Sequence, residues 1–361
     1  MLYTIPDYYH EFECTAAQCE DTCCAGWQIM IDKKSLEKYK KVPGHFGKRL
    51  RRSVDWREGA FKQSEDKRCA FLNRENLCDL YTALGKNSLC TTCRRYPRHV
   101  EEFENVREIT LSVSCPEVAK ILLAKTEPAQ FLTYEKEGEE EFEEFDPFLY
   151  SVLVDGRETM MRILKNRELE LGVRITLIWG LAHDMQRRVN MGEMFSCEEL
   201  FERYESERAI EFASRKAKGP EYAFAKKIFR VLHRLEKLRD DWEPYLYETE
   251  RLLFSKGEEE YDNIHRAFAK WLENEMSSWE IMLEQMLVYF VFTYFCGAVY
   301  DGNAFAKMRL SVWSIFLIYE MMAARWIKNE QALDMEDVVE IVYRYSREIE
   351  HSDENLRKLV T

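Results

Sequence analysis

Residues 14–32, with the sequence CTAAQCEDTCCAGWQIMID, carry four of the eleven cysteines of this chain. Five more lie before residue 116, and the remaining two thirds of the chain hold only Cys197 and Cys296. The N-terminus has no basic region followed by an apolar stretch, so it does not resemble a secretory signal, and a reducing cytoplasmic location is expected. Crowded thiols in such a compartment bind metal or do redox work more often than they form disulfides. The stretch therefore predicts an N-terminal metal or iron–sulfur module.

The clustered cysteines fall into two groups and one separate member. They are Cys14, Cys19, Cys23 and Cys24, then Cys69, Cys78, Cys90 and Cys93, and finally Cys115. The adjacent pair in the first group indicates a loop wrapped around an ion, and the x2 spacing at the end of the second is typical of chelation. Four thiolates satisfy tetrahedral zinc or a [4Fe–4S] cluster. Nine thiols exceed one site, so the sequence leaves open two sites or one site with structural thiols. We favour one [4Fe–4S] cluster, with zinc as the alternative.

The rest of the sequence predicts a mainly α protein with a helical, bundle-like body and a small cysteine-rich N-terminal module. Residues 98–114 alternate around Glu104-Asn105 and predict a short β-hairpin, and Pro116 is expected to begin a helix. The domains are expected to be a metal module over 1–134, an acidic linker over 135–146 and an all-helical domain over 147–361. Helical periodicity and glycine punctuation predict the following body helices: 148–168, 173–191, 198–216, 220–238, 243–255, 260–275, 278–299, 303–328 and 335–350.

Charge and hydropathy limit the classes of partner. The net charge is −13, and residues 116–361 carry 33 Lys and Arg against 48 Asp and Glu. This acidic body argues against nucleic-acid binding, which requires basic surface. The longest uncharged apolar run, Met286 to Tyr300, is shorter than the roughly 20 residues that a membrane span needs. It predicts a buried core helix, with no membrane span.

Five motifs carry a family resemblance. They are Cys23-Cys24-Ala25-Gly26-Trp27-Gln28-Ile29-x-Ile31-Asp32, Cys69-Ala70-Phe71-Leu72, Leu77-Cys78-x-Leu80-Tyr81, Cys90-x2-Cys93-x2-Tyr96-Pro97-Arg98 and Ser114-Cys115-Pro116-Glu117. Together they resemble the signature of the flagellin lysine N-methylases, the FliB family, and of small iron- or zinc-chelating cysteine domains. The resemblance covers residues 8–120, and the C-terminal body fits only loosely through residues 287–300.

The resemblance implies a specific activity. Proteins of this family transfer the methyl group of S-adenosylmethionine to lysine ε-amino groups on flagellin, and they are associated with a [4Fe–4S] cluster. Flagellin is thus the expected protein partner and S-adenosylmethionine the expected methyl donor. The resemblance does not determine which four cysteines would hold the cluster.

The chemistry of lysine methylation sets requirements on the site. The lysine must be neutral although its ordinary pKa is near 10.4, and ring faces favour a cationic sulfonium. The sequence contains no Gly-x-Gly, so a dinucleotide-type glycine loop for the donor is absent. Arg94 and Arg95 lie beside Cys93 and are candidates for stabilising the negative charge of a cluster or for binding the carboxylate of the donor. Alternatively, they form a surface basic patch.

Other classes of function remain open from the sequence. A non-enzymatic zinc- or iron-binding interaction protein would use the same cysteines as a folding element. A redox or metal-handling protein would use the vicinal pair Cys23-Cys24.

Overall fold

Helices dominate the computed structural model, which describes residues 1–140, 142–219 and 221–360. The predicted mainly α class is confirmed, and the strands of the described residues all lie before residue 136. These strands are β1 (Leu2–Pro6), β2 (Val54–Asp55), β3 (Ala60–Phe61), β4 (Arg98–Phe103), β5 (Val106–Leu111) and β6 (Phe131–Glu135). The helices among them are α1 (Lys33–Lys41), α2 (Gly44–Arg52), α3 (Asp79–Leu84), α4 (Thr91–Arg95) and α5 (Pro116–Ala124).

The body that follows is helical, close to the predicted pattern. Its helices are α6 (Pro147–Lys165), α7 (Leu171–Met191), α8 (Glu198–Glu205), α9 (Glu207–Lys216), α10 (Tyr222–Leu232), α11 (Trp242–Phe254), α12 (Glu258–Glu275), α13 (Trp279–Tyr294), α14 (Ala298–Asp301), α15 (Ala304–Lys328), α16 (Met335–Glu350) and α17 (Asp353–Leu359). Single 3₁₀ turns occur at Asp7–Glu11, Ala16–Gln18, Lys86–Ser88, Met194–Cys197 and Phe295–Gly297.

Local capping explains where the observed helices depart from the predicted ones. The helix predicted over 198–216 is two helices, because Ser206 adopts an extended backbone and its side chain accepts a hydrogen bond from the N–H of Ala209. That bond satisfies an otherwise unpaired donor of the second helix. The helix predicted over 220–238 covers only 222–232, and its first predicted residue, Pro220, lies outside the described residues.

In the larger sheet the N-terminal strand β1 pairs with the β4–β5 hairpin. Its strand order is β4-β5-β1-β6, with β1 parallel to β5 and antiparallel to β6. The predicted hairpin is confirmed as β4 and β5, and Glu104 takes a left-handed φ of 50° in its turn. The alternation in residues 98–111 revealed the hairpin, whereas β1 and β6 were not predicted because their pairing is decided by contacts about 130 residues apart.

Two hydrophobic cores organise the molecule. The smaller core is built from residues 29–93 and includes the buried Cys69 and Cys90. The larger core joins Phe103 and Leu111 of the hairpin, helix α5 and the helices of the body. Residues 136–140 and 142–146 contain no helix or strand, and Glu141 of the predicted acidic linker lies outside the described residues. The domain limits 1–134, 135–146 and 147–361 stay a prediction.

The apolar run from Met286 begins inside a buried helix, as predicted. Helix α13 is enclosed on every side from Met282 to Thr293. Two stretches, Trp279–Asp301 and Ala304–Lys328, are long and apolar enough to cross a membrane by length and composition. Their most apolar windows are 83% and 67% buried within the protein, as expected of core helices.

Candidate metal centre and adjoining cavity

The first cysteine loop is fixed to the smaller core by backbone hydrogen bonds. The N–H of Cys69 donates to the carbonyl of Cys24 at 2.8 Å, and the indole of Trp27 donates to the carbonyl of Cys23 at 2.8 Å. Gly26 has a φ of +88°, and a Cβ there would lie 3.1 Å from the side chain of Arg239. Gly26 thus allows the tight turn that follows the cysteine pair, and a larger residue would strain it.

Five thiols gather at the smaller core: Cys24, Cys69, Cys78, Cys90 and Cys93. Burial raises the pKa of Cys69 to about 12, and the neighbouring Cys24, Cys78 and Cys90 raise it further. Cys90 and Cys93 share a hydrogen bond, which lowers the pKa of Cys90 and raises that of Cys93. The x2 pair therefore points both sulfurs to one place, as its spacing predicts.

The other four clustered thiols, Cys14, Cys19, Cys23 and Cys115, lie towards the helical body. Burial raises the pKa of Cys115 to about 11, with Cys19 adding to the rise. Cys23 bridges the two sets, because its hydrogen bond with Cys24 lowers the pKa of Cys24 to about 7 and raises its own. Cys24, like Cys90, is thus a thiol that is readily converted to a thiolate, the form that binds metal.

A buried arginine from the body holds the cysteine loop in place. Arg347 on α16 forms an ion pair with the carboxylate of Asp21 at 2.6 Å and donates to the carbonyl of Asp21 at 2.6 Å. Its Nε donates to the carbonyl of Ser114 at 2.8 Å, next to Cys115. Arg239 reaches the same Asp21 oxygen at 2.6 Å. The guanidinium of Arg347 therefore links α16 to the first cysteine loop and to the segment that carries Cys115. It also places positive charge beside the thiols of these two segments.

The clustered cysteines are chemically suited to ligate a thiolate-bound cluster. Every cysteine is a free thiol, and buried cations stabilise the negative charge of such clusters. Within residues 1–140, 142–219 and 221–360, however, no group of three or more His, Cys, Asp or Glu side chains is close enough to hold a metal ion. Binding would therefore have to draw the thiols together. The nine cysteines stay predicted ligands, and the choice between one site and two stays open.

The two arginines proposed from the sequence to bind the donor lie apart from the two cavities of the structure. Arg94 and Arg95 are exposed at the end of α4, and neither lines either cavity described below. Their role in binding a donor carboxylate stays a prediction. Arg98 and His99, their neighbours in sequence, do line a cavity.

Replacing Cys296 with alanine is expected to leave metal content unchanged. Cys296 is buried between α13 and α14 near Arg157, far in the fold from the smaller core, and Cys197 is buried beside α8. We expect a stability loss of about 1 kcal/mol from the small void, with no loss of metal by elemental analysis. A loss of metal in Cys296→Ala or Cys197→Ala would mean that the ligand set extends into the body.

An aromatic cavity of about 280 Å³ adjoins the cysteine loop. We call it the aromatic chamber, and its lining residues are Trp27, Tyr96, Pro97, Arg98, His99, Ser112, Tyr294, Glu350, His351 and Asp353. The indole of Trp27 lies 4.5 Å from the ring of His351 and 6.1 Å from that of Tyr96, between ring centroids. The indole of Trp27 also donates a hydrogen bond to the backbone carbonyl of Cys23. Trp27 therefore connects the chamber with the first cysteine loop.

A carboxylate and a neutral imidazole face into this chamber. The hydroxyls of Tyr289 and Tyr294 both donate to Oε2 of Glu350, at 2.5 and 2.6 Å, while its Oε1 is shielded from solvent and has no hydrogen-bond partner. Burial raises the pKa of Glu350. Burial lowers the pKa of His351 to about 3, and the nearby charge of Arg347 contributes, so this ring is neutral. Its Nε2 lies 2.9 Å from the hydroxyl of Ser114.

A second cavity of about 450 Å³ lies on the other side of Tyr294. It is lined by α15 and α17 residues that include Arg309 and Arg357. Arg309 lies over the rings of Phe305 and Trp313, and its Nε has no hydrogen-bond partner.

Sequence reasoning found one wall of the chamber and missed the other. Trp27, Tyr96 and Arg98 belong to the motifs quoted above. Glu350 and His351 were not predicted, because they end a helix 250 residues away and only the fold brings them to the hairpin. The available signal was weak: a Glu-His pair directly after the buried positions Tyr345 and Ile349.

Comparison with known proteins supplies the identity of the body. The profile of the FliB lysine N-methylase C-terminal domain matches residues 157–361, more than half of the chain. The chain is 29% identical over 129 residues to the lysine-N-methylase of Salmonella typhimurium, covering 33% of this chain and 32% of that protein. It is 28% identical over 129 residues to the flagellar biosynthetic protein FliU of Salmonella muenchen, covering 33% of this chain and 76% of that protein.

The match thus spans about a third of the lysine-N-methylase, and no solved structure matches the chain. The sequence motifs pointed to the family through residues 8–120, whereas the profile reaches the same family through the helical body. Two different parts of the chain therefore lead to one conclusion. The chain belongs to the FliB lysine N-methylase family.

Proposed function

We propose that the protein methylates lysine ε-amino groups of flagellin in the cytoplasm, with S-adenosylmethionine as the methyl donor and a [4Fe–4S] cluster as a resident group. The aromatic chamber is the proposed place of methyl transfer. The observation that supports this most is a cavity whose lining combines aromatic rings with the carboxylate of Glu350.

The chemistry of the chamber matches the charges of the reaction. A sulfonium and a lysine ammonium are both cations, and ring faces attract cations. Trp27, Tyr96 and Tyr294 supply these faces, and Glu350 supplies the counter-charge. A neutral His351 adds no positive charge that would repel them. Arg98 and Asp353 add one charge of each sign to the lining, so the ring faces and Glu350 are the features that favour a cationic guest.

Size argues that the donor extends beyond the chamber. About 280 Å³ suits the end of a lysine side chain, while small-molecule sites are usually 300–1,000 Å³. The neighbouring cavity of about 450 Å³ shares Tyr294 with the chamber, and Arg309 and Arg357 are suited to bind a carboxylate. We therefore assign the donor to these two adjacent cavities.

The thiols of the cysteine-rich segments would hold the cluster, and the indole of Trp27 is hydrogen-bonded to the backbone carbonyl of Cys23. Such a cluster would supply a redox-tunable or chelating iron centre. Residues of the chain hold the chamber and the cysteine loop in position. Trp27 is hydrogen-bonded to Cys23 and packs on His351, and Arg347 is paired with Asp21 of the cysteine loop.

The decisive experiment measures transfer of labelled methyl groups. Anaerobically purified protein is incubated with methyl-labelled S-adenosylmethionine and flagellin, and digestion maps the label to lysines. Flagellin whose lysines have been acetylated is the matched control, because an amide nitrogen cannot accept the methyl group. We expect label on native flagellin alone. No turnover, together with stoichiometric zinc and no visible absorbance, would instead support a zinc-binding interaction protein.

A further inference from the structure

We propose that Glu350 accepts the proton that must leave the substrate lysine before its nitrogen is methylated. This assignment rests on the proposed methyl-transfer function and names the group that makes the acceptor nucleophilic. It follows from where the two carboxylate oxygens of Glu350 lie, and from what else the aromatic chamber offers as a base.

The two oxygens of Glu350 have different environments. Oε2 receives both tyrosine hydroxyls of α13, at 2.5 Å from Tyr289 and 2.6 Å from Tyr294. Oε1 is shielded from solvent and has no hydrogen-bond partner, while the hydroxyl of Ser346 lies close enough to help lower the pKa of the carboxyl group. The carboxyl group of Glu350 as a whole belongs to the lining of the chamber. A lysine ammonium in the chamber would be a further donor to this carboxylate.

The tyrosines hold the carboxylate in position. Tyr289 is 2% exposed and Tyr294 forms a wall of the chamber, so α13 fixes the carboxylate at the end of α16. The titratable groups that face Glu350 are these two tyrosines and His99 of β4, which is itself bonded to Glu101 at 2.8 Å. Asp353 and His351 complete the ionisable lining of the chamber, with Arg98 at its edge.

Glu350 is better suited to this role than the nearby imidazole. Protonating His351 would place a second cation beside Arg347 in a buried site, and its pKa of about 3 makes it a weak base. Burial strengthens Glu350 as a base instead, because desolvation disfavours its anion. His351, bonded to Ser114 and packed on Trp27, has a positioning role.

The step balances in atoms and charge. One N–H bond of the lysine ammonium breaks and an O–H bond forms on the carboxylate of Glu350, which leaves a neutral amine. The nitrogen lone pair then forms the N–C bond to the methyl group of the sulfonium donor. The C–S bond breaks with its electron pair remaining on sulfur, giving a thioether and a methylated ammonium. The proton on Glu350 returns to solvent when the products leave.

The test is Glu350→Gln, which keeps the shape and an acceptor for the tyrosines but cannot take a proton. Positioned general bases contribute about 10²–10⁴-fold, so we expect kcat on flagellin to fall at least about 100-fold near neutral pH. KM for S-adenosylmethionine and the unfolding temperature should stay close to those of the wild type. Glu336→Gln, the same change at an exposed site of the same helix, is the matched control and should keep full activity.

The pH profile separates proton transfer from structural support. In the wild type the rate should rise as pH increases through the raised pKa of Glu350, because only the carboxylate accepts a proton. In Glu350→Gln that limb disappears and the defect shrinks towards pH 10, where free lysine loses its own proton. Tyr289→Phe removes a bond that stabilises the anion, so it should raise the pKa and move the limb to higher pH.

The outcomes distinguish the two proposals. Wild-type protein that transfers no methyl group would overturn the proposed function and this assignment with it. Wild-type turnover with an equally active Glu350→Gln variant, or with a defect that is constant across pH, would overturn the assignment alone. Direct binding of S-adenosylhomocysteine by both proteins checks that a slow variant still forms the donor site.

Discussion

Cys24→Ala is expected to abolish metal binding and to unfold the smaller core. The hydrogen bond from Cys23 lowers the pKa of Cys24 to about 7, with Arg68 and Arg347 contributing, so Cys24 supplies a thiolate at neutral pH. At this core Cys69, Cys78 and Cys93 have raised pKa values and need a cation to lose their protons, whereas the bond with Cys93 lowers the pKa of Cys90. Removing Cys24 removes one of the two thiols from which assembly of the site would begin.

The smaller core has few stabilising interactions apart from a bound metal. It contains a handful of apolar side chains around five thiols, and small cores of this kind rarely fold without a metal or disulfides. Metal binding to such sites contributes about 10 kcal/mol or more of folding free energy. We therefore expect Cys24→Ala, and likewise Cys23→Ala, to lose iron or zinc by elemental analysis and to show a lower first unfolding transition.

Controls make this prediction specific. Cys296→Ala should retain the wild-type metal content, since it removes a buried thiol outside the cysteine-rich segments. Full metal content together with unchanged thermal unfolding in both Cys23→Ala and Cys24→Ala would show that neither residue is a ligand.

Arg347→Ala is expected to destabilise the protein by about 3 kcal/mol, the cost of breaking a buried ion pair. The side chain of Arg347 is 4% exposed, and its loss leaves the carbonyls of Asp21 and Ser114 without their donor. Arg239 would still neutralise the Asp21 carboxylate, which limits the cost. Equilibrium unfolding in denaturant measures the difference.

The same substitution should also weaken metal binding at neutral pH. The positive charge of Arg347 contributes to lowering the pKa of the thiols of Cys19, Cys23, Cys24 and Cys115. Without it these pKa values rise, so fewer thiolates are present and more protons must be displaced. We expect the apparent affinity to recover as pH is raised from 7 to 9.

Arg344→Ala is the matched control on the same helix. Arg344 is more exposed than Arg347, at 17%, and pairs with the partly exposed Asp241 and Glu340. Ion pairs that solvent reaches contribute about 0–1 kcal/mol. A stability loss in Arg347→Ala no larger than in Arg344→Ala would contradict the structural role of the buried guanidinium. Arg347→Lys tests charge alone, since it keeps the cation without the forked donor geometry.

The sequence alone determined the local elements of this protein. The spacing of apolar residues and glycines predicted the body helices, alternation predicted the β4–β5 hairpin, and Pro116 predicted the start of α5. These features depend on residues within one or two turns of each other. The cysteine motifs, also local, led to the family. The split at Ser206 was missed because the capping serine lies inside an otherwise continuous helical pattern.

Only the tertiary structure decided what lies around the cysteines. Arg347 and Glu350 lie on α16, and His351 follows directly after it. All three come more than 230 residues after Ser114, yet they contact it or the chamber beside it. No short-range pattern encodes such contacts, because they depend on how α13, α16 and the hairpin pack around one core. Residue type and spacing were enough to predict a metal site at the cysteines, and this site stays a prediction. The position of the aromatic chamber, and of the Glu350 carboxylate in its lining, required the fold.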